Sequence, residues 1–251
     1  MDFTPLDVKS SYSLLKSPTR ISDLVTTAKE RGYKALALTD ENVLYGAVEF
    51  YNAAKKAGIK PIFGLRLVVA LNETDGTKLD LVFLAKNQRG YQHLMDLSTL
   101  QQTRKDKKAP LTVAQISPLL NELFIIIPPQ STVFSVLAQP TSILTELANL
   151  GDDDSVLLGV NSRLDDVQID TLQQLSKQLS LPLVGTSPVD YLNANDLFAS
   201  RVLQAIDAGV ELKDPTIEAE RRGQHYLHSK EQVIQDYKAK GLSAAAQKTV
   251  E

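Results

Sequence analysis

The chain has no cysteine, no tryptophan, only three histidines and only two methionines in 251 residues. Without cysteine there are no disulfides, iron–sulfur clusters, thiolate zinc sites or cysteine nucleophiles, which suits a reducing compartment. Three histidines are too few for a histidine-rich metal site. Long apolar runs are also missing. The longest, such as Leu65–Leu71 and Leu123–Ile127, fall far below the roughly 20 residues of a membrane-spanning helix. Asp2 follows Met1 directly, and no apolar leader segment appears near the start. Neither charge sign dominates: 27 Lys and Arg face 30 Asp and Glu, for a net charge of −3. That excludes a global positive field for nucleic acid and leaves only local basic faces. No G-x-G-x-x-G or Walker P-loop occurs, so nucleotide binding of those kinds has no support. No 20–50-residue repeat is visible. The expectation is a soluble cytoplasmic protein without membrane contact.

What is present is ordinary globular composition, 43% hydrophobic and 23% charged. A chain this long buries roughly 75% of its unfolded surface and holds one or two domains, or one large α/β barrel. Helical spacing over Ser22–Arg31 ends at Gly32, and a short apolar strand follows at Lys34–Thr39. A helix over Leu44–Ala57 ends at Gly58, and Pro61–Ala70 is a β-branched strand. Asp75-Gly76 signals a hairpin, which makes Leu79–Ala85 its antiparallel or neighbouring partner. The rhythm continues with a helix at Asn87–Leu100, a lysine-rich loop at Arg104–Pro110, a short helix at Thr112–Leu120 and a strand at Leu123–Ile127. Helical patterns follow at Thr132–Gln139 and Ser142–Leu150. Beyond them come a strand at Val156–Val160, a helix at Asp165–Ser180, a strand at Leu183–Thr186 and a helix at Ala194–Ala208. Val210–Tyr226 reads as irregular, and Ser229–Ala239 and Leu242–Val250 as helices. The expected division is a barrel domain over 1–209 and a trailing segment over 210–251. The uncapped helical pattern at the end leans toward a longer chain.

Strands alternating with helices imply a mainly parallel sheet, closed or doubly wound, with its chemistry at the carboxyl ends of the strands. Those ends hold Asp7, Lys9, Asp40, Glu41, Arg66, Asn161 to Arg163 and Ser187 to Asp190. Several of these segments carry a resemblance. Phe3-Thr4-Pro5-Leu6-Asp7-Val8-Lys9 resembles the opening of a PHP (polymerase and histidinol phosphatase) domain, and Ala35 to Asn42 resembles its second motif. Leu44-Tyr45-Gly46-Ala47-Val48-Glu49-Phe50-Tyr51 is similar to the PHP domain that opens the bacterial replicative DNA polymerase alpha subunits. Gly58 to Gly64, Leu84 to Asn87, Gly90-Tyr91, Leu94-Met95, Pro182 to Thr186 and Val189 to Leu192 extend the likeness.

The resemblance implies a distorted seven-stranded β/α barrel. It also implies, for active members, a metal cluster that activates water for phosphoester hydrolysis. Where the family's first motif has histidines, this chain has Pro5, Asp7 and Lys9. Asp40 remains in the second motif, but Glu41 replaces a usual histidine. Arg66 replaces a usual glutamate, and the last motif reads Pro188-Val189-Asp190. Proline has no side-chain ligand, and protonated lysine and arginine have no lone pair to give. The expectation is a vestigial metal pocket of Pro5, Asp7, Lys9, Asp40, Glu41, Arg66, Pro188 and Asp190, with no catalytic or metal-binding residue.

Lys9 and Arg66 are expected to occupy the vacated centre and pair with Asp7, Asp40, Glu41 or Asp190. Unit charges ~4 Å apart attract by about 4 kcal/mol at an effective dielectric near 20, before desolvation. Asp40 has a simpler reading as a helix cap, and Glu41 as a solvated loop residue. Weak Mg²⁺ binding by the carboxylates is a further reading. His93, His225 and His228 read as structural, the Arg104, Lys105, Lys107 and Lys108 stretch as solvated, and Tyr12, Tyr45, Phe50 and Tyr51 as packing residues.

The functional expectation is a non-catalytic structural and interaction domain of a replicative polymerase. The parent would extend primers with Mg²⁺, which this segment itself does not need. Its expected partners are the remaining polymerase domains, DNA through the parent, and replisome subunits such as a proofreading exonuclease. Two alternatives stay open: an active metal-dependent phosphoesterase or 3′–5′ proofreading nuclease, and a free-standing interaction protein.

Overall fold

The computed structural model describes residues 1–70, 78–106, 109–129, 154–213 and 224–250. Seven strands lie among the described residues: β1 (Ala35–Leu38), β2 (Lys60–Ala70), β3 (Lys78–Ala85), β4 (Leu111–Thr112), β5 (Leu123–Ile127), β6 (Val156–Val160) and β7 (Leu183–Gly185). They form one curled sheet in the order β1-β2-β3-β5-β6-β7, with β4 paired to β2. All pairs on the path are parallel except those of β3, which runs antiparallel to both β2 and β5. The expected β2–β3 pairing is therefore present, whereas the Asp75-Gly76 turn between them lies outside the described residues.

The opening segment closes the curl. The Ala37 N–H donates to the Pro5 carbonyl at 3.0 Å and the Thr39 N–H to that of Val8 at 2.8 Å. On the other side the Val189 N–H donates to Asp7 and the Lys9 N–H to Val189, both at 2.9 Å. Residues 5–9 thus sit between the β1 and β7 edges as the seventh member of the ring. Pro5 fits there because it accepts a bond without needing an N–H to donate. The result is the expected distorted (β/α)7 barrel, with a reversed strand in place of one βα unit.

Eight α-helices surround the sheet among the described residues: α1 (Ile21–Glu30), α2 (Ala47–Ala57), α3 (Gln88–Gln102), α4 (Val113–Ile116), α5 (Asp166–Leu179), α6 (Leu197–Ala208), α7 (Lys230–Ala239) and α8 (Ser243–Gln247). Their ends follow local chemistry. Gly58 closes α2 at φ 74°, as its position predicts. Asp165 and Gln168 form a reciprocal capping box on α5. The helix expected from Leu44 starts only at Ala47, because Leu44 to Gly46 turn tightly under Tyr12. A Cβ at Gly46 would lie 2.6 Å from Ile21 and 2.8 Å from the Tyr12 ring. The helical patterns at 132–139 and 142–150 lie outside the described residues.

The period-two alternation of the strands divides the core. Leu6, Ala37, Val82, Leu84, Ile126, Leu157 and Val184 fill the barrel interior. Leu65, Leu67, Val69, Leu81 and Phe83 face outward under α3 and α4. On the opposite side Leu36, Leu38 and Val160 pack with α1 and α2. The carboxyl-terminal helices join this last cluster through Val233, Tyr237, Leu242, Ala245 and Ala246. Tyr237 is fully buried, 5.4 Å from the Phe3 ring, and donates to the carbonyls of Val160 and Thr186, each at 3.0 Å. Residues 230–250 therefore pack onto the barrel wall. No helix among the described residues is long and apolar enough to cross a membrane.

Candidate functional site at the carboxyl ends of the strands

Even-numbered residues of β2 point into the barrel, as the interior position of Ile62 shows, and this register puts Arg66 there. Its side chain is 7% exposed. It donates from Nη1 to Asp7 Oδ1 at 2.6 Å, and from Nη2 and Nε to Asp80 Oδ2 at 2.5 and 3.0 Å. Arg66 is thus a bridge between the opening segment and β3. Burial disfavours its charge, but the two aspartates outweigh burial and raise its pKa above the ordinary arginine value.

Beside it, Lys9 Nζ meets Asp190 Oδ1 at 2.7 Å, with both side chains largely buried. Asp190 Oδ2 takes His225 Nδ1 at 2.8 Å. Burial alone would lower the lysine pKa and raise that of the aspartate. The attraction between them reverses both effects, so Lys9 is raised and Asp190 is held well below the usual carboxylate range. The backbone strengthens this junction, since the N–H groups of Asp190 and Tyr191 both donate to the His225 carbonyl.

Asp40, at the end of β1, has a different role. Its Oδ1 accepts from the Ser10 N–H at 2.7 Å and the Ser13 hydroxyl at 2.6 Å, and its Oδ2 accepts from the Ser10 hydroxyl at 2.7 Å. Burial pushes its pKa up in spite of these hydrogen bonds. Glu41 is half-buried. Its N–H donates to Ser13 Oγ, and its backbone bridges to that of Arg66. Pro5 contributes its carbonyl, and Pro188 precedes the bridge between Val8 and Val189.

The structure therefore brings Asp7, Lys9, Arg66 and Asp190 together as two buried ion pairs. It does not pair Asp40 or Glu41 with either cation, and Asp40 fixes the 10–13 turn rather than capping α2. Sequence reasoning missed Asp80 and His225. Asp80 carried a signal: it is the lone charge in the otherwise apolar run Leu79–Ala85. It stands opposite Val68, diagonal to Arg66 across the β2–β3 pair. His225 had none, because its neighbours do not specify which strand end it reaches. His93 Nδ1 contacts the Asn121 carbonyl at 2.7 Å, tying α3 to the loop before β5. Arg104 contacts Gln115 at 3.1 Å, while Lys107 and Lys108 lie outside the described residues.

A divalent ion needs several oxygen or nitrogen donors free to converge. Asp40 spends both oxygens on Ser10 and Ser13, Asp190 spends both on Lys9 and His225, and a guanidinium fills the space between Asp7 and Asp80. Asp7 Oδ2 and Asp80 Oδ1 alone among these carboxylate oxygens are buried without a hydrogen bond. Among the described residues, no three His, Asp or Glu side chains are grouped so as to hold a metal. The donor set does not fit a metal cluster.

The PHP domain family model matches residues 5–148, which contain Pro5, Asp7, Lys9, Asp40, Glu41 and Arg66. The chain belongs to the PHP domain family. Relatives matched over most of this chain carry a more specific name. The DNA polymerase III subunit alpha of Halalkalibacterium halodurans is 34% identical over 226 residues, covering 88% of this chain and 20% of that protein. The subunit of the same name from Bacillus subtilis is 31% identical over 226 residues, covering 87% and 20%. The chain thus spans about a fifth of the length of the curated relatives it matches. Among solved structures, an amidohydrolase from Chromobacterium violaceum superposes with a TM-score of 0.53 at 12% identity, covering 75% of this chain and 87% of that one. That likeness supports the barrel architecture of the PHP domain.

Proposed function

We propose that this chain is the PHP portion of a bacterial replicative DNA polymerase III alpha subunit, where it acts as a non-catalytic structural and interaction domain. The observation that carries the reading is Arg66 bridging Asp7 and Asp80, with Lys9 on Asp190 beside it. In this reading Pro5, Asp7, Lys9, Asp40, Glu41, Arg66, Pro188 and Asp190 form a vestigial metal pocket. Fixed cations now neutralise carboxylates that would otherwise repel one another. The site neither activates water nor binds a phosphoester. The parent extends primers with deoxynucleotides and Mg²⁺ in the cytoplasm, using carboxylates outside this chain. Its partners are the other polymerase domains, DNA through the parent, and replisome subunits such as a proofreading exonuclease. The boundary between barrel and trailing segment lies near Gly209.

The test is incubation of the purified chain with Zn²⁺, Mn²⁺ or Mg²⁺ and a 3′-labelled primer, alongside melting curves with metal and with chelator. The expected outcome is no chelator-sensitive cleavage and a melting temperature that neither treatment moves, since an ion that binds only the folded state would raise it by mass action. Metal-dependent release of label that disappears on Asp7→Asn substitution would establish the phosphoesterase or nuclease reading instead.

A further inference from the structure

Tyr45 and Tyr51 do not pack as their apolar setting predicts. Helix α2 turns Ala47, Phe50 and Ala54 into the core, which leaves its other face to solvent. Tyr45, just before the helix, is 67% exposed, Val48 72% and Tyr51 44%. Val48, Tyr51 and Lys55 follow one another at helical spacing and form one stripe. Several large apolar and aromatic side chains on one exposed face mark a contact surface, whereas single ones do not.

The charge of this face has one sign. Tyr45 to Lys60 holds three lysines, Lys55, Lys56 and Lys60, and one acid, Glu49, in a chain whose net charge is −3. All three lysines are exposed, and none is in an ion pair among the described residues. Glu49 already accepts the Tyr12 hydroxyl at 3.0 Å. The neighbouring helix α1 with its flanking residues brings Arg20, Lys29 and Arg31 against Asp23 and Glu30, so it adds no acidic excess. The Lys55 ammonium stands 5.7 Å from the centre of the Tyr51 ring, which places a cation beside an accessible aromatic face.

We propose that the exposed face of α2 binds single-stranded DNA, with bases stacked on Tyr51 and Tyr45 and backbone phosphates held by Lys55, Lys56 and Lys60. Rings interleaved with unpaired cations are what an unstacked strand needs, because every base has a stacking face and every nucleotide carries a charge. A duplex offers the phosphates but keeps its bases stacked on one another. The choice of DNA rests on the polymerase reading above. The surface argument does not, since it uses only the side chains of this helix.

The probe is fluorescein-labelled oligothymidylate of twelve nucleotides, titrated by anisotropy into the folded 251-residue chain. An abasic strand of equal length and charge and an oligouridylate serve as comparisons. Saturable binding is expected within the roughly 10⁻⁶–10⁻⁴ M range of non-specific contacts, and at least fivefold weaker for the abasic strand. Tyr45→Ala/Tyr51→Ala should weaken oligothymidylate about tenfold and leave the abasic strand within twofold. Lys55→Ala/Lys56→Ala should lower the slope of log affinity against log salt by about 1.4, or about 0.7 for each lost contact. All four positions are exposed, so unchanged melting temperatures are expected. Equal affinity for the abasic strand, an unchanged salt slope, or tyrosine variants within twofold of the parent chain would each overturn the proposal. Tenfold tighter binding of oligouridylate would overturn the assignment to DNA, and no saturable binding would leave the face to a protein partner. None of these results bears on the cleavage and melting tests of the polymerase reading, so either can fail alone.

Discussion

Arg66 does the most among single residues, because three elements meet at its guanidinium. Removing it strands Asp7, which is 2% exposed, next to Asp80 without its bonded partner and with only the more distant charge of Lys9 to offset it. Breaking a buried pair from one side destabilises by roughly 3–5 kcal/mol. Arg66→Met should therefore lower the urea-unfolding free energy by about that much. Adding Asp7→Asn and Asp80→Asn should recover a large part of it, because the charges rather than the packing are at fault. Full additivity of the three changes would contradict this account. The Lys9–Asp190 pair makes a second prediction, through pH. The depressed Asp190 pKa gives stability that is present above the ordinary value of 3.8 and lost as pH falls toward the folded value. The raised Lys9 pKa gives stability that is present below 10.5 and lost as pH rises through the folded value. Asp40 acts in the opposite sense to Asp190, since its raised pKa makes folding easier as it protonates. Denaturant unfolding of the wild type and of Lys9→Met/Asp190→Asn across pH 3–11 should show their difference widest between about 4 and 10.5 and shrinking at both ends.

Elements meet most tightly where backbone touches backbone. Gly90, in the first turn of α3, lies so close to the loop before β5 that an added Cβ would sit 2.1 Å from the Glu122 carbonyl oxygen. The Lys86 N–H also donates to that carbonyl at 3.0 Å, so the loop has little room to withdraw. Gly90→Ala should gain a little helix propensity and lose far more to the clash. A net destabilisation of roughly 2–3 kcal/mol is expected, measured as a lowered midpoint in chemical denaturation. A neutral or stabilised variant would mean that the α3–β5 corner is looser than its geometry. The same corner shows how local signals and contacts cooperate. Asn87 caps α3 by accepting from the N–H groups of Arg89 and Gly90, and its amide donates to Glu122 at 2.7 Å.

For the whole molecule, closure depends on the ends of the chain. Residues 5–9 complete the barrel wall, and Tyr237 of α7 bonds to the ends of β6 and β7 beneath Phe3. Arg31 extends the tie from α1, donating to the Leu192 and Leu227 carbonyls and to Asn193. Contacts across most of the chain length are slow to form in folding, yet here they set the geometry of the candidate site. Asp7 and Lys9 reach Arg66 and Asp190 only because the opening segment is held between β1 and β7.

Periodicity and end signals were enough to place most strands and helices. The 3.6- and 2-residue repeats, Gly58 and the apolar runs are local features whose meaning does not depend on distant neighbours. Residue chemistry alone also established that proline, lysine and arginine at Pro5, Lys9 and Arg66 offer no lone pairs to a cation. The start of α2 at Ala47 was not legible, because the packing of Tyr12 and Ile21 over Gly46 decides it. Nor was the choice among carboxylates. Only the tertiary structure assigned Asp7 and Asp80 to Arg66, gave Asp190 to Lys9 and His225, and left Asp40 to two serines. Strand register and barrel closure fix which charges come within 3 Å of each other, and both arise from contacts between residues far apart in the chain.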